Sequence, residues 1–150
     1  MADVDATLFP SLSSFFFVNL ELESKAVVNM QQMQAIFGGN KQLMSHAVTM
    51  FITSSKEVPE QITLALATHN FEKLHRTVHQ CKGSAGYIGA ERVATISLTL
   101  QTAARELQQQ QAASAEPGSV VAPLYVRAQV HALTSCMKEL FDELEKVTTQ

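Results

Sequence analysis

The 150-residue chain is short of several features that would narrow its class at once. It has two cysteines, Cys81 and Cys136, in neither a metal nor a redox spacing. Both sit on or beside apolar stripes and are expected as reduced thiols rather than as a disulfide. Lys and Arg total 11 without a dense basic run, and the formal net charge is −3, which argues against generic nucleic-acid binding. No apolar run is long enough to cross a bilayer: "FFFV" at 15–18 is far too short, and the N-terminus lacks the basic region of a secretion signal. A Gly-rich nucleotide loop, a P-loop, an acidic metal cluster and an internal repeat are all missing. What is present is ordinary globular chemistry, 46% apolar and 17% charged residues in a chain that suits one domain with a real core. A soluble cytoplasmic protein is expected, with the nucleus as a second location.

The helical period dominates the pattern. Residues 26–37 read as a short helix stopped by Gly38 and Gly39. Asn40 is placed to cap a long helix with Leu43, Ala47, Met50, Ser54, Val58, Ile62 and Ala65 on its stripe, kinked or split at Pro59. Asn70 is a candidate cap for a third helix, whose stripe is Phe71, Leu74, Val78, Cys81, Ala85 and Ile88, and Gly89 ends it. A fourth, from about 90 to 110, carries Val93, Ile96, Leu100, Ala103 and Leu107. "QQQQAASAEPGS" at 108–119 reads as a polar linker, and a last helix carries Val126, Val130, Leu133, Met137, Leu140, Leu144 and Val147. The expectation is an all-α fold: an antiparallel up-and-down four-helix bundle with a short additional N-terminal helix. Residues 1–25 are an extension, and 26–148 the bundle domain. Phe15, Phe16 and Phe17 form an apolar cluster outside the bundle helices, read as a cap on its end in preference to a docking surface.

"HRTVHQCKGSAGYIGA", residues 75–90, breaks the generic pattern. Glycine is a poor helix former, costing about 1 kcal/mol relative to alanine, yet three glycines fall in a strongly helical stretch. At about 100° per residue, Glu72, His75, Gly83 and Gly86 lie within roughly 40° of His79, with Arg76 and Lys82 at the margins of that face. Gly83 and Gly86 therefore strip side chains from the face that carries His79. A bare patch beside a partly exposed imidazole suits the close approach of something bulky. Lys82, one turn on, sets a positive charge where an anion on that ring would sit. A neutral imidazole is a nucleophile at neutral pH; phosphorylated on Nε2, it can pass the group on.

If the hairpin turns at 89–90, residue 79 lies opposite about residue 100 of the next helix. Gln101 is the polar residue there, and its amide can bond Nδ1 of His79, fix the tautomer and leave Nε2 free. Arg105, one turn further, falls near His75. His75 reads as an exposed helix residue in preference to one that tunes His79. Ser84 falls on the far side of the helix, as a small residue at a helix contact. His75 and His79 are spaced i,i+4, but no third metal ligand is obvious, so no metal site is expected. His46, His69 and His131 read as structural or solvated.

"HQCKGSAGYIGA" closely resembles the signature of histidine-containing phosphotransfer (HPt) domains, a His-x-x-Lys-Gly-Ser followed by Gly-Ala after the helix. His79, Lys82, Gly83, Ser84, Gly89 and Ala90 match it in full. The upstream "IFGGNKQLMSHAVTMF" is similar to the stretch leading into the family's first bundle helix. The resemblance covers roughly 26–111 and implies that His79 is the phosphoacceptor, Lys82 steadies the phosphate and Gly83 makes room for the partner. Gln101 and Arg105 look like the helix-borne glutamine and nearby basic residue of single-domain yeast and plant members. Gly86, Arg105 and His75 are the further candidates for phosphate or partner contact. The resemblance further implies a stand-alone relay module: phosphoryl comes from a receiver-domain aspartate of a hybrid sensor histidine kinase and goes to the receiver domain of a response regulator. A four-helix domain is complete as a monomer, and a monomer is expected. No ATP-dependent kinase activity and no cofactor of its own are expected, the Mg²⁺ coming with the receiver. Departures are the glutamine-rich 108–119 run and residues 1–25, which match no pattern of the family.

Two other classes fit the sequence less well. A dimerisation-and-histidine domain of a kinase expects an acidic residue after the histidine, where this chain has Gln80. A helical adaptor that kept the fold and lost transfer would usually lose the histidine or the lysine, and both stand.

Overall fold

The structure, a computed structural model, describes residues 24–148. Six α-helices and one 3₁₀ turn make up the regular structure of those residues: α1 Met30–Ile36, α2 Lys41–Ser55, α3 Val58–Ala67, α4 Phe71–Tyr87, α5 Glu91–Ala113, the 3₁₀ turn Pro117–Ser119, and α6 Leu124–Thr148. The expected extension and its phenylalanine cluster lie, up to residue 23, outside the described residues.

Asparagines start three of the helices. The side chains of Asn29, Asn40 and Asn70 accept from the backbone N–H groups of Gln32, Leu43 and Lys73, each satisfying one of the donors a helix start leaves unpaired. Gly38 and Gly39 take left-handed φ values of 60° and 76° between α1 and α2, a region open to glycine at little cost.

The packing runs from α3 to α4, α4 to α5, α5 to α6, and from α6 back to both α2 and α3. A bundle closed in this way buries one stripe from each helix. Every residue of the expected stripes on α4 and α5 is buried, and on α6 all but Val147 at the end.

Of the two outcomes expected at Pro59, a kink or a split, the helix is split: Pro59 sits in the first turn of α3, where its missing N–H costs no hydrogen bond. Two expectations change. The stripe on α2 is rotated: Val48, Phe51 and Ser55 face inward, and Phe51 meets Phe141 of α6 with ring centroids 6.3 Å apart. Leu43 and Met50, assigned to the core by spacing, are 49% and 58% exposed. Finally, the glutamine run is helix rather than linker. Gln and Ala are good helix formers, and α5 continues to Ala113, where Gln111 Nε2 donates to the His69 carbonyl at 2.8 Å. That carbonyl belongs to a residue with φ 55°, in the tight turn between α3 and α4.

Candidate functional site

The turn after α4 sets the geometry of everything near His79. Gly89 adopts φ +75°, and a Cβ there would lie 2.9 Å from the carbonyl oxygen of Asn29. Only glycine allows both the torsion and the approach. The Asn29 N–H donates to the Gly89 carbonyl at 2.8 Å, and Asn29 Nδ2 donates to Glu91 Oε1 at 2.7 Å. Glu91 also accepts from the Ala26 N–H at 3.2 Å, and Arg92 Nε donates to the Lys25 carbonyl at 2.8 Å. The first residues of the described chain are thus tied across the hairpin's end. Gly89, which reads in the sequence as a helix stop only, is also a contact point.

The tie fixes the register of α4 against α5. The pairs His79 with Gln101 and His69 with Gln111 both centre on Ala90, the last of the three residues between the helices. His79 is exposed, and its Nδ1 lies 3.1 Å from Gln101 Oε1. An amide oxygen only accepts, so Nδ1 carries the proton and Nε2 the lone pair. Among the described residues Nε2 has no hydrogen-bond partner.

His75, one turn before, is half-buried rather than exposed. Its ring stacks on that of His79, with centroids 6.2 Å apart and planes 17° from parallel. Partial burial, then the neighbouring His79, then Arg105 across the hairpin hold its pKa below the ordinary 6.5. Lys82 is half-buried, Arg105 exposed, and neither forms an ion pair with a carboxylate among the described residues. Glu72 and Arg76 pair with each other at 3.9 Å, both largely exposed.

Gly83 and Gly86 are exposed, and a Cβ on either would meet nothing within 4 Å. The face is open, and glycine there is not demanded by the chain's own packing. Ser84, expected as a small residue at a helix contact, is exposed. It lines, with Gly83 and Tyr87, one wall of a groove of about 570 Å³ whose other wall is Leu43, Ala47 and Met50 of α2. The spacing of Leu43 and Met50 announces an apolar face but not that no helix among the described residues covers it. Cys81 and Cys136 are free, and burial, only partly offset by the Ser97 hydroxyl, pushes the Cys81 thiol up to about 11. Among the described residues no group of three or more His, Cys, Asp and Glu side chains gathers as a metal site, and no helix is long and apolar enough to cross a membrane.

The sequence profile of the Hpt domain matches residues 46–146, about two-thirds of the chain. The chain belongs to the Hpt domain family. An Hpt domain is a phosphotransfer intermediate rather than a kinase and works with receiver domains of kinases and response regulators, so this chain has a histidine phosphotransfer role in phosphorelay signalling. A solved structure of a putative histidine-containing phosphotransfer protein from rice is similar, at 18% identity and a TM-score of 0.48, over 95% of this chain and 99% of that one. No curated protein sequence matches significantly. The profile starts at His46, so the Hpt match contains α4 and α5 whole and leaves α1 and the Asn29 tie outside it.

Proposed function

We propose that His79 accepts a phosphoryl group from the aspartyl phosphate of a receiver domain in a hybrid sensor kinase and passes it to the receiver aspartate of a response regulator. The observation that carries this reading is the committed Nδ1: with its proton held on Gln101 at 3.1 Å, the exposed ring presents Nε2 as the nucleophile.

In the step, Nε2 attacks phosphorus in line with the acyl-phosphate bond. The N–P bond forms, the P–O bond breaks, and the receiver's aspartate leaves as a carboxylate. Nδ1 keeps its proton, and the Gln101 carbonyl then faces a ring that has become positively charged. Lys82 stands one turn along as the cation for the phosphoryl oxygens. The bare backbone at Gly83 and Gly86 admits the incoming domain, and the groove walled by Leu43, Met50 and Tyr87 offers it an apolar footing that excludes water. Arg105 and His75 complete the rim. In this reading α2 and α3 together form one arm of an antiparallel four-helix bundle, residues 26–148 are the transfer unit, 1–25 an extension, and the protein works as a cytoplasmic or nuclear monomer.

The test is incubation with a labelled phospho-receiver. Wild type acquires acid-labile, base-stable label, and His79→Gln acquires none; equal labelling of the variant overturns the assignment.

A further inference from the structure

The ring of His75 lies on the rim of the site and makes or breaks no bond in the transfer step just described. It stands at the i−4 position from His79, with rings 6.2 Å apart and nearly parallel. The hydrogen bond of the His79 ring goes to Gln101 and none joins it to His75, so His75 acts on His79 through charge, not by taking its proton. The groups around it are few. His79 and Arg105 act on it directly. Glu72 and Arg76, its neighbours on α4, are paired with each other, and Lys82 lies beyond His79. From α3, the other helix packed on α4, the one ionisable side chain is Glu60 in the first turn.

We propose that His75 is a proton-linked positioning residue for the phosphorylated site: its imidazole is neutral while His79 is bare and takes a proton from solvent when His79 carries a phosphoryl group, adding a further cation on the side of His79 away from Lys82. The proposal rests on His79 as the acceptor. A phosphoryl group brings on the order of −1.5 to −2 charges, and at most one positive charge develops on the ring that bears it. The net change beside His75 is negative, and an opposite charge within a few ångströms favours the protonated imidazole. In the bare site the surroundings act in the other direction: partial burial, His79 and Arg105 each disfavour the proton. The sign of the linkage follows. His75 binds its proton more tightly in the loaded form, so loading becomes more favourable as pH falls through the window between the two midpoints. That advantage is lost as pH rises above the upper one.

The experiment is an NMR titration of the His75 ring in the full chain, before and after loading His79 with phosphoramidate, a small donor that needs no receiver. The expected result is a bare-state midpoint below 6.5 and an upward move of about one pH unit on loading, a tenfold change in proton affinity. An identical midpoint in the two forms overturns the proposal. A second comparison does not depend on loading: the His75 midpoint lies higher in His79→Glu than in His79→Gln, and equal midpoints count against the linkage. Neither measurement uses a receiver, so failure of receiver transfer is read separately. In His75→Gln, the loading equilibrium with phosphoramidate has a shallower pH profile than wild type; a purely structural His75 leaves that slope unchanged.

Discussion

Nδ1 of His79 and Oε1 of Gln101 stand 3.1 Å apart across the α4–α5 hairpin. One bond between two exposed or half-exposed side chains contributes little to folding, so its effect falls on the tautomer. Gln101→Ala is expected to slow phosphoryl uptake by about three- to tenfold, the equivalent of one ordinary hydrogen bond, with an unchanged unfolding midpoint. Rapid-quench transfer rates beside a thermal melt check both halves.

Lys82→Ala removes a cation that pairs with no carboxylate among the described residues. Transfer should slow by roughly ten- to a hundredfold, in line with loss of a charge-assisted contact to a developing anion. Stability should stay within about 0.5 kcal/mol. Wild-type transfer rates in this variant would remove Lys82 from the site.

At position 83 two substitutions separate folding from docking. Gly83→Ala adds a methyl group to open space and should stabilise the helix by about 1 kcal/mol. Gly83→Gln should fold as well as wild type but bind the receiver roughly tenfold more weakly, about 1.4 kcal/mol. Calorimetric titration against a receiver domain, with melts of both variants, decides it.

Glu91 gives a pH dependence of stability. The bonds from Asn29 Nδ2 and then the Ala26 N–H hold its carboxyl below the ordinary 4.5. Its folded-state pKa is depressed, so its contribution is present above the unfolded value and is lost as pH falls below about 4.5. Urea midpoints of wild type should drop through that range more steeply than those of Glu91→Gln; parallel curves would refute the assignment.

The hairpin that carries the site was legible because its signals are local. Asn70 caps α4, Gly89 ends it, and the three-four spacing on each side fixes which residues meet, Gln101 with His79 among them. α2 was harder. It has apolar side chains on two adjacent faces, and spacing alone cannot say that Val48 and Phe51 turn inward while Leu43 and Met50 stay outside. The same limit applied to Ser84: the helical angle placed it correctly away from His79 but could not say whether a helix covers that side. The glutamine run looked like a linker by composition, although helix propensity pointed the other way. The contact between Gly89 and Asn29 spans sixty residues of chain and leaves no mark in any local window.

That contact has a mechanical consequence. The helix bearing His79 ends where the segment from Lys25 to Asn29 crosses it, latched by main-chain and side-chain bonds to Gly89, Glu91 and Arg92. A pull on Lys25 would reach the foot of that helix through these bonds as well as through Val27 and Val28, which pack against the core.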